Sequence, residues 1–234
     1  MISTISTALC LPAPDIEALI QGRIIAAVPR ISIKPGSREF ALYACDTFIN
    51  PLPDERYYRS KFLPIAQNAL ASLDSQKVLI KAWATCEHRK RLDNTESFDA
   101  LSRLTVWTTD ALQETLSQRG HIFLTYLRVY LLSQPIEVPV HLEVQEKNGK
   151  FISLPQRLTV SESWPVLSDH IFTQRRRQLE NLEPPLHPEL EELQSAIALL
   201  SATNPAAEEL DQSIRIFLGW SSNQTAKRLD SDLA

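Results

Sequence analysis

The chain has 234 residues, 44% hydrophobic and 22% charged, with 24 basic against 28 acidic side chains for a formal net charge of −4. This is an ordinary globular composition, long enough to bury a self-sufficient core as one large domain or as a compact domain with an appendage. No run approaches the ~18 apolar residues that a membrane span needs, and MISTISTALCLPAPD lacks the basic and apolar regions of a signal peptide. A soluble, cytoplasmic protein with no membrane partner is expected.

Three cysteines (Cys10, Cys45, Cys86) are odd in number and show no CxxC or metal spacing, so free buried thiols are expected. Five glycines and 15 prolines mean that proline, more than flexible loops, marks stops and edges. Residues 166–234 hold 6 basic and 11 acidic side chains, which leaves the body near neutral and the tail acidic. Dedicated nucleic-acid binders usually carry a basic excess, so binding of that kind falls here to a local patch.

In chain order, Thr7–Leu11 is predicted as a strand. Pro14, Asp15 and Glu17 then open a helix striped by Ile16, Leu19 and Ile20, with Gly22 placed to end it. RIIAAVPRISI and REFALYAC are strand candidates joined by a turn at Lys34–Ser37, and Pro29 splits the first or confines it to an edge. A helix is predicted over Phe62–Leu73. The strand at 78–87 alternates, with Leu79, Lys81, Trp83, Thr85 and Glu87 sharing one face. Short helices flank VWTTDAL, and a second strand at 121–132 places Tyr126, Arg128 and Tyr130 on one face, closed by SQPIEVP.

A hairpin is predicted through Asn148–Gly149, after which strand character fades. Ser168 reads as the N-cap of a helix to about Asn181. Two further helices follow, near Pro188–Ser201 and Pro205–Leu218, with Asn204 capping the second and Gly219 ending it. Their facing stripes (Leu190, Leu193, Ile197, Leu200; Leu210, Ile214, Phe217, Leu218) predict an αα-hairpin.

The segments LPAPDIEALIQGR, PGSREFALYA, KAWATCEH, the tryptophan-bearing helical stretch and RVYLLSQPIEVP together resemble the PUA-like superfamily of β-barrels, particularly its ASCH branch. More closely, the chain resembles an uncharacterised bacterial family, frequent in cyanobacteria, with an ALxxG…FxLYP…LRVYxLxxPxxxP pattern. The resemblance covers about residues 8–140. It implies an α+β fold with a small PUA-like mixed β-barrel and flanking helices over 1–165; the helices read above make residues 166–234 a helical extension.

It also implies binding of RNA or of a modified base in the barrel groove, around Arg23, Arg30, Lys34, Tyr43, Trp83 and Arg128. Some ASCH relatives are amidohydrolases with a Gly-Lys-Lys-Thr-x-Glu-x-Arg hallmark. Here the aligned stretch is GRIIAAVPR: Gly22 matches, Arg23 keeps one charge, Ile24 and Ile25 replace lysine and threonine, and Pro29 stands before Arg30. Ala27 stands at the glutamate position, which removes the acid/base carboxylate such chemistry needs. A non-catalytic module is therefore expected; a divergent nucleoside amidohydrolase is the weaker alternative.

Among other candidates, Arg89–Lys90–Arg91 after His88 at a strand end reads as a phosphate-neutralising patch or as a solvated loop. Arg56–Tyr57–Tyr58–Arg59 interleaves cations with rings, suiting backbone tracking and base stacking or packing over a barrel edge. Arg128 lines a pocket with Trp83 if the two long strands pair with those faces together. Otherwise it forms a structural ion pair to Asp110, Glu114 or Glu87. Arg175–Arg177 beside Glu180 and Glu183 reads as a nucleic-acid grip or as a salt-bridged helix face. The five histidines stand singly, so no metal site is expected, and no cofactor motif or nucleophile elbow occurs. A protein partner for the acidic helices at 186–220 is the competing functional reading.

Overall fold

A computed structural model describes residues 2–46, 52–140, 148–183, 190, 193, 197 and 204–217. β1 (Ile2–Pro12) runs straight into α1 (Ala13–Ile20), whose first turn holds Pro14, where no intrahelical N–H bond is needed. Gly22, at φ +70°, turns the chain so that the Arg23 amide donates to the Ala18 carbonyl at 2.9 Å, as predicted for a glycine-ended helix. The strand expected over residues 23–33 shrinks to β2 (Ala26–Ala27), with Pro29 close behind it.

β3 (Glu39–Cys45), α2 (Asp54–Tyr57) and α3 (Leu63–Ala71) precede the long strand β4 (Lys77–Leu92). Then come α4 (Phe98–Leu104), α5 (Thr109–Arg119), β5 (Ile122–Pro139), β6 (Phe151–Ser161), α6 (Asp169–Asn181) and α7 (Pro205–Phe217).

The strands form one six-stranded mixed sheet in the order β2-β5-β4-β3-β1-β6. β1 and β3 are parallel, joined by the crossover that contains α1; the other pairs are antiparallel. The expected barrel is not confirmed, because the sheet is not closed: no ladder joins edge strands β2 and β6 among the described residues. β5 and β6 nevertheless approach each other although four places apart in the order, so the sheet is strongly curled.

Two apolar clusters occupy its two faces. One joins Leu9, Leu11, Phe40, Leu42, Ala82 and Ala84 to the helices through Ile16, Leu19, Ile65, Phe98, Leu101, Leu112, Phe172 and Leu179. The other gathers strand residues: Ile5, Cys10, Ala41, Tyr43, Val78, Ile80, Trp83, Val138, Ile152 and Val160. The alternation of the strands delivers neighbouring residues to opposite clusters.

Two strands are longer than predicted. β4 continues through His88–Leu92, which pair with Tyr126–Ile122 of β5, so the basic run lies in a strand and not in a loop. β5 continues through SQPIEVP because four of its residues, Leu132–Pro135, stand opposite the single Lys81. Pro135 sits in that irregularity, where no ladder N–H is required of it.

β6 likewise extends to Ser161 along β1. Gly149 has φ +73°, as suits the predicted hairpin, but the incoming strand falls outside the described residues. α6 starts at the expected cap, with Ser168 Oγ accepting from the Ile171 amide at 3.4 Å. Phe172 and Leu179 carry that helix into the main core although it follows the expected boundary at residue 165. α7 opens after Asn204, whose side chain accepts from the Ala206 amide at 3.1 Å. Its expected partner helix at 188–201 lies largely outside the described residues.

The three cysteines are free and buried on the neighbouring strands β1, β3 and β4. Among the described residues, no helix is long and apolar enough to cross a membrane, which says nothing about membrane-spanning strands.

Candidate binding cleft

Arg128 sits on β5 opposite Thr85, and Tyr130 sits opposite Trp83, so the two strands pair with the predicted faces together. Tyr130 stacks on Trp83 with ring centroids 4.4 Å apart and planes 14° from parallel. Residues 164–166 are pinned to β5 by two backbone bonds, Leu131 N–H to Trp164 O at 2.8 Å and Val166 N–H to Val129 O at 3.0 Å. That bridge sets the start of α6 directly over Arg128. One guanidinium nitrogen donates to Asp169 Oδ1 at 2.5 Å and another to the Ser168 carbonyl at 3.3 Å.

The arginine is only 6% exposed, whereas the Asp169 side chain is 98% exposed. Desolvation therefore falls on the cation. The faces of Phe172, at 4.9 Å, and Tyr130, at 5.8 Å, offset part of it by cation–π attraction. The partners that sequence offered for Arg128 are engaged elsewhere or differently. Asp110 pairs with Arg56 at 2.8 Å, Glu114 accepts from Gln118, and Glu87 faces the cleft without bonding Arg128.

The space between β4–β5 and α6 is a cleft of about 560 Å³ lined by Glu87, Arg128, Tyr130, Phe172, Arg176 and Glu180, with Asp169, Thr173 and Arg177 at its edges. Its volume falls in the range of small-molecule sites. Three arginines face three carboxylates, so the lining is polar at both signs without a net charge. Arg176 bonds Glu180 at 2.8 Å and Arg177 approaches Glu183 at 3.8 Å, which gives the salt-bridged face predicted for this helix. Under the helix, burial pushes the Tyr126 hydroxyl up to about 12, and the Glu180 carboxylate adds to the shift. That hydroxyl is buried and has no hydrogen-bond partner among the described residues; Trp83 Nε1 is in the same position.

The other residues proposed from sequence do not converge on this cleft. Trp83 and Tyr43 are each 1% exposed, inside the second core. Arg23 is buried, bonds Gln21 at 2.8 Å, and offers its carbonyl to Arg175 of α6 at 3.0 Å. Lys34 is exposed on its turn, and Arg30 is half-buried by the Gly149 turn. Of the basic patch, Arg89 bonds the Ser32 hydroxyl, Lys90 is exposed, and Arg91 pairs with Asp93 at 2.7 Å. Arg59 donates to the carbonyls of Arg103 and Thr105. Tyr58 is fully buried, so it presents no stacking platform.

Sequence reasoning missed the most buried acid among the described residues. Asp15, 3% exposed, was legible only as a helix-opening residue. Its Oδ1 accepts from Trp107 Nε1 at 3.0 Å and from the Tyr58 hydroxyl at 3.2 Å. Both donors are delivered by a backbone clamp between remote segments, Arg59 N–H to Val106 O and Thr108 N–H to Tyr57 O, each at 2.9 Å. Burial raises the carboxyl to about 7, against the lowering effect of those two hydrogen bonds and of Arg119. The one signal in the sequence was the pair of polar-tipped aromatics, which need partners when buried. Beside Arg128, by contrast, the carboxylate is exposed, and Ala27 is buried in β2 with no acid to offer.

These features define a mixed α+β domain with a curled sheet and a helix-covered polar cleft. A family model described as a domain of unknown function (DUF1802) matches residues 8–178, and the chain belongs to this family. Neither a curated protein nor a solved structure matches it. The match runs from β1 into α6 and so covers β4, β5 and most of α6, leaving only Glu180 of the cleft lining outside it.

Proposed function

We propose that this protein is a non-catalytic nucleic-acid-binding module that receives a base, with RNA as the first candidate, in the cleft between β4–β5 and α6. The observation that carries the reading is Arg128, held between two aromatic faces at the floor of a cleft whose rim adds Arg176 and Arg177. Bases in single strands are read by stacking together with hydrogen bonds to their edges, and a lining with both donors and acceptors suits a base edge better than a run of phosphates. Arg176 and Arg177 would take the flanking phosphates. The resemblance to PUA-like modules, drawn from sequence, points the same way, though fold alone does not fix function.

The test is binding of labelled single- and double-stranded RNA and DNA at low and moderate salt. Micromolar binding to single strands is expected, weakening with salt, and about tenfold weaker in the double variant Arg176→Ala, Arg177→Ala. No binding at low salt, or equal binding by that variant, sinks the reading. A second reading rests on the C-terminal helical residues, where Leu193, Leu210 and Phe217 are exposed. Apolar exposure of this kind suits a protein partner at residues 186–220.

A further inference from the structure

A second polar site lies away from the cleft, between α1, α5 and the Gly149 turn. Asp15, Val28, Arg30, Tyr57, Thr115 and Arg119 line it, with Pro12, Glu114, Gln118 and Asn148 at its mouth, around a volume of about 30 Å³. That volume holds about two waters, or a group the size of a carboxylate.

Its charges are arranged unusually. Burial holds the Arg119 guanidinium below its usual range, and the nearby Arg30 cation pushes it further the same way, while Tyr57 and Asp15 oppose this. Arg119 donates to the backbone carbonyls of Val28, at 3.2 Å, and Pro29, at 3.5 Å. Neither bond neutralises its charge. The Arg30 stem is fixed by the turn, since its amide donates to the Gly149 carbonyl at 2.8 Å and a Cβ at Gly149 would lie 2.8 Å from Arg30 Cγ. The two like charges are therefore held around one small polar cavity by their backbones, against their mutual repulsion.

We propose that this pocket is a site for a small oxyanion, a single carboxylate group, held between Arg30 and Arg119 above the Asp15 carboxyl. The groups facing Asp15 are Tyr58 and Tyr57 from the end of α2, Arg119 and Glu114 from α5, Arg30 from the turn, and Cys45 from β3. Burial keeps both tyrosines and Cys45 neutral near pH 7, and Glu114 accepts from Gln118 at 2.9 Å. The pH-dependent part of the charge within the cavity is thus set by Asp15, against the two arginines and the Glu114 carboxylate at the mouth. Protonated, Asp15 donates a hydrogen bond to the anion; ionised, it repels the anion and pairs with Arg119 in its place.

The experiment compares sodium acetate with sodium chloride at equal concentration, followed by thermal denaturation and by chemical-shift changes in the full chain. Acetate is expected to bind beyond the chloride response, about tenfold more weakly at about pH 8 than at about pH 6 because one proton on Asp15 is coupled to it. Arg30→Ala, at a half-buried position, removes binding at both pH values. Asp15→Asn, which keeps an acceptor for Trp107 and Tyr58, makes binding independent of pH. A blocked dipeptide with a free C-terminus, against its amide, shows whether a peptide end reaches the site as well as a free acid. An acetate response equal to that of chloride, or one retained in Arg30→Ala, overturns the proposal. Neither result bears on the cleft under α6, which shares no residue with this pocket.

Discussion

The cleft under α6 and the pocket beside α1 are each built on an arginine and an aspartate, with burial divided in opposite ways. In the cleft the cation is buried and its carboxylate partner, Asp169, stands almost wholly in water. In the pocket the carboxyl is the buried member, and its oxygen is satisfied by an indole and a phenol before any cation reaches it. A guanidinium stays charged when desolvated, whereas a buried carboxyl takes up a proton. The first arrangement gives a permanent charge in the cleft, and the second gives a charge that depends on pH.

The largest effect separating the two is expected at Asp15. Its folded value, raised from 3.8 to about 7, means the native state holds this proton more tightly than the unfolded chain does. Its contribution is thus fully present below about pH 4, declines as pH rises, and levels off above about pH 7. Asp15→Asn mimics the protonated form, so it leaves stability near pH 4 unchanged and raises it at pH 8 by up to about 4 kcal/mol. Denaturant titrations at both pH values check this; a variant less stable at pH 8 breaks the comparison.

A smaller effect is expected from Arg128→Ala: a loss of about 2 kcal/mol, equal at pH 5 and pH 8, as its aromatic packing and hold on α6 are lost. Amide exchange in α6 should accelerate in the same variant. The least effect belongs to Asp169→Asn, an exposed partner whose loss added salt should mask. A large effect there, insensitive to salt, would mean that the pair is more buried than its geometry indicates.

The alternation in the two long strands made their faces legible, and the pairing that the sequence left open brings those faces together, Trp83 against Tyr130 and Thr85 against Arg128. Local capping chemistry was equally legible at Ser168 and Asn204, where one side chain satisfies an amide two or three residues on. What lay beyond the sequence was contact between remote segments. Nothing local brings Tyr58 and Trp107 to the same Asp15 oxygen, and nothing in the alternation tells that Leu132–Pro135 loop out opposite Lys81 and let β5 resume. Closure of the sheet was likewise not readable, since it depends on edge pairing that no single strand encodes. Trp83 and Tyr43 have the residue types of a binding groove, but the same types fill an apolar cluster, and here they do.

The three thiols also make the fold its own reporter. Cys10, Cys45 and Cys86 belong to three consecutive strands across the middle of the sheet, and burial raises the first to about 12 and the last to about 11. A thiol reagent consumes only exposed thiolate, so each cysteine is silent until its own strand opens. Mapping alkylation at the three sites over time would give the order in which neighbouring strands part, with no residue introduced into the protein.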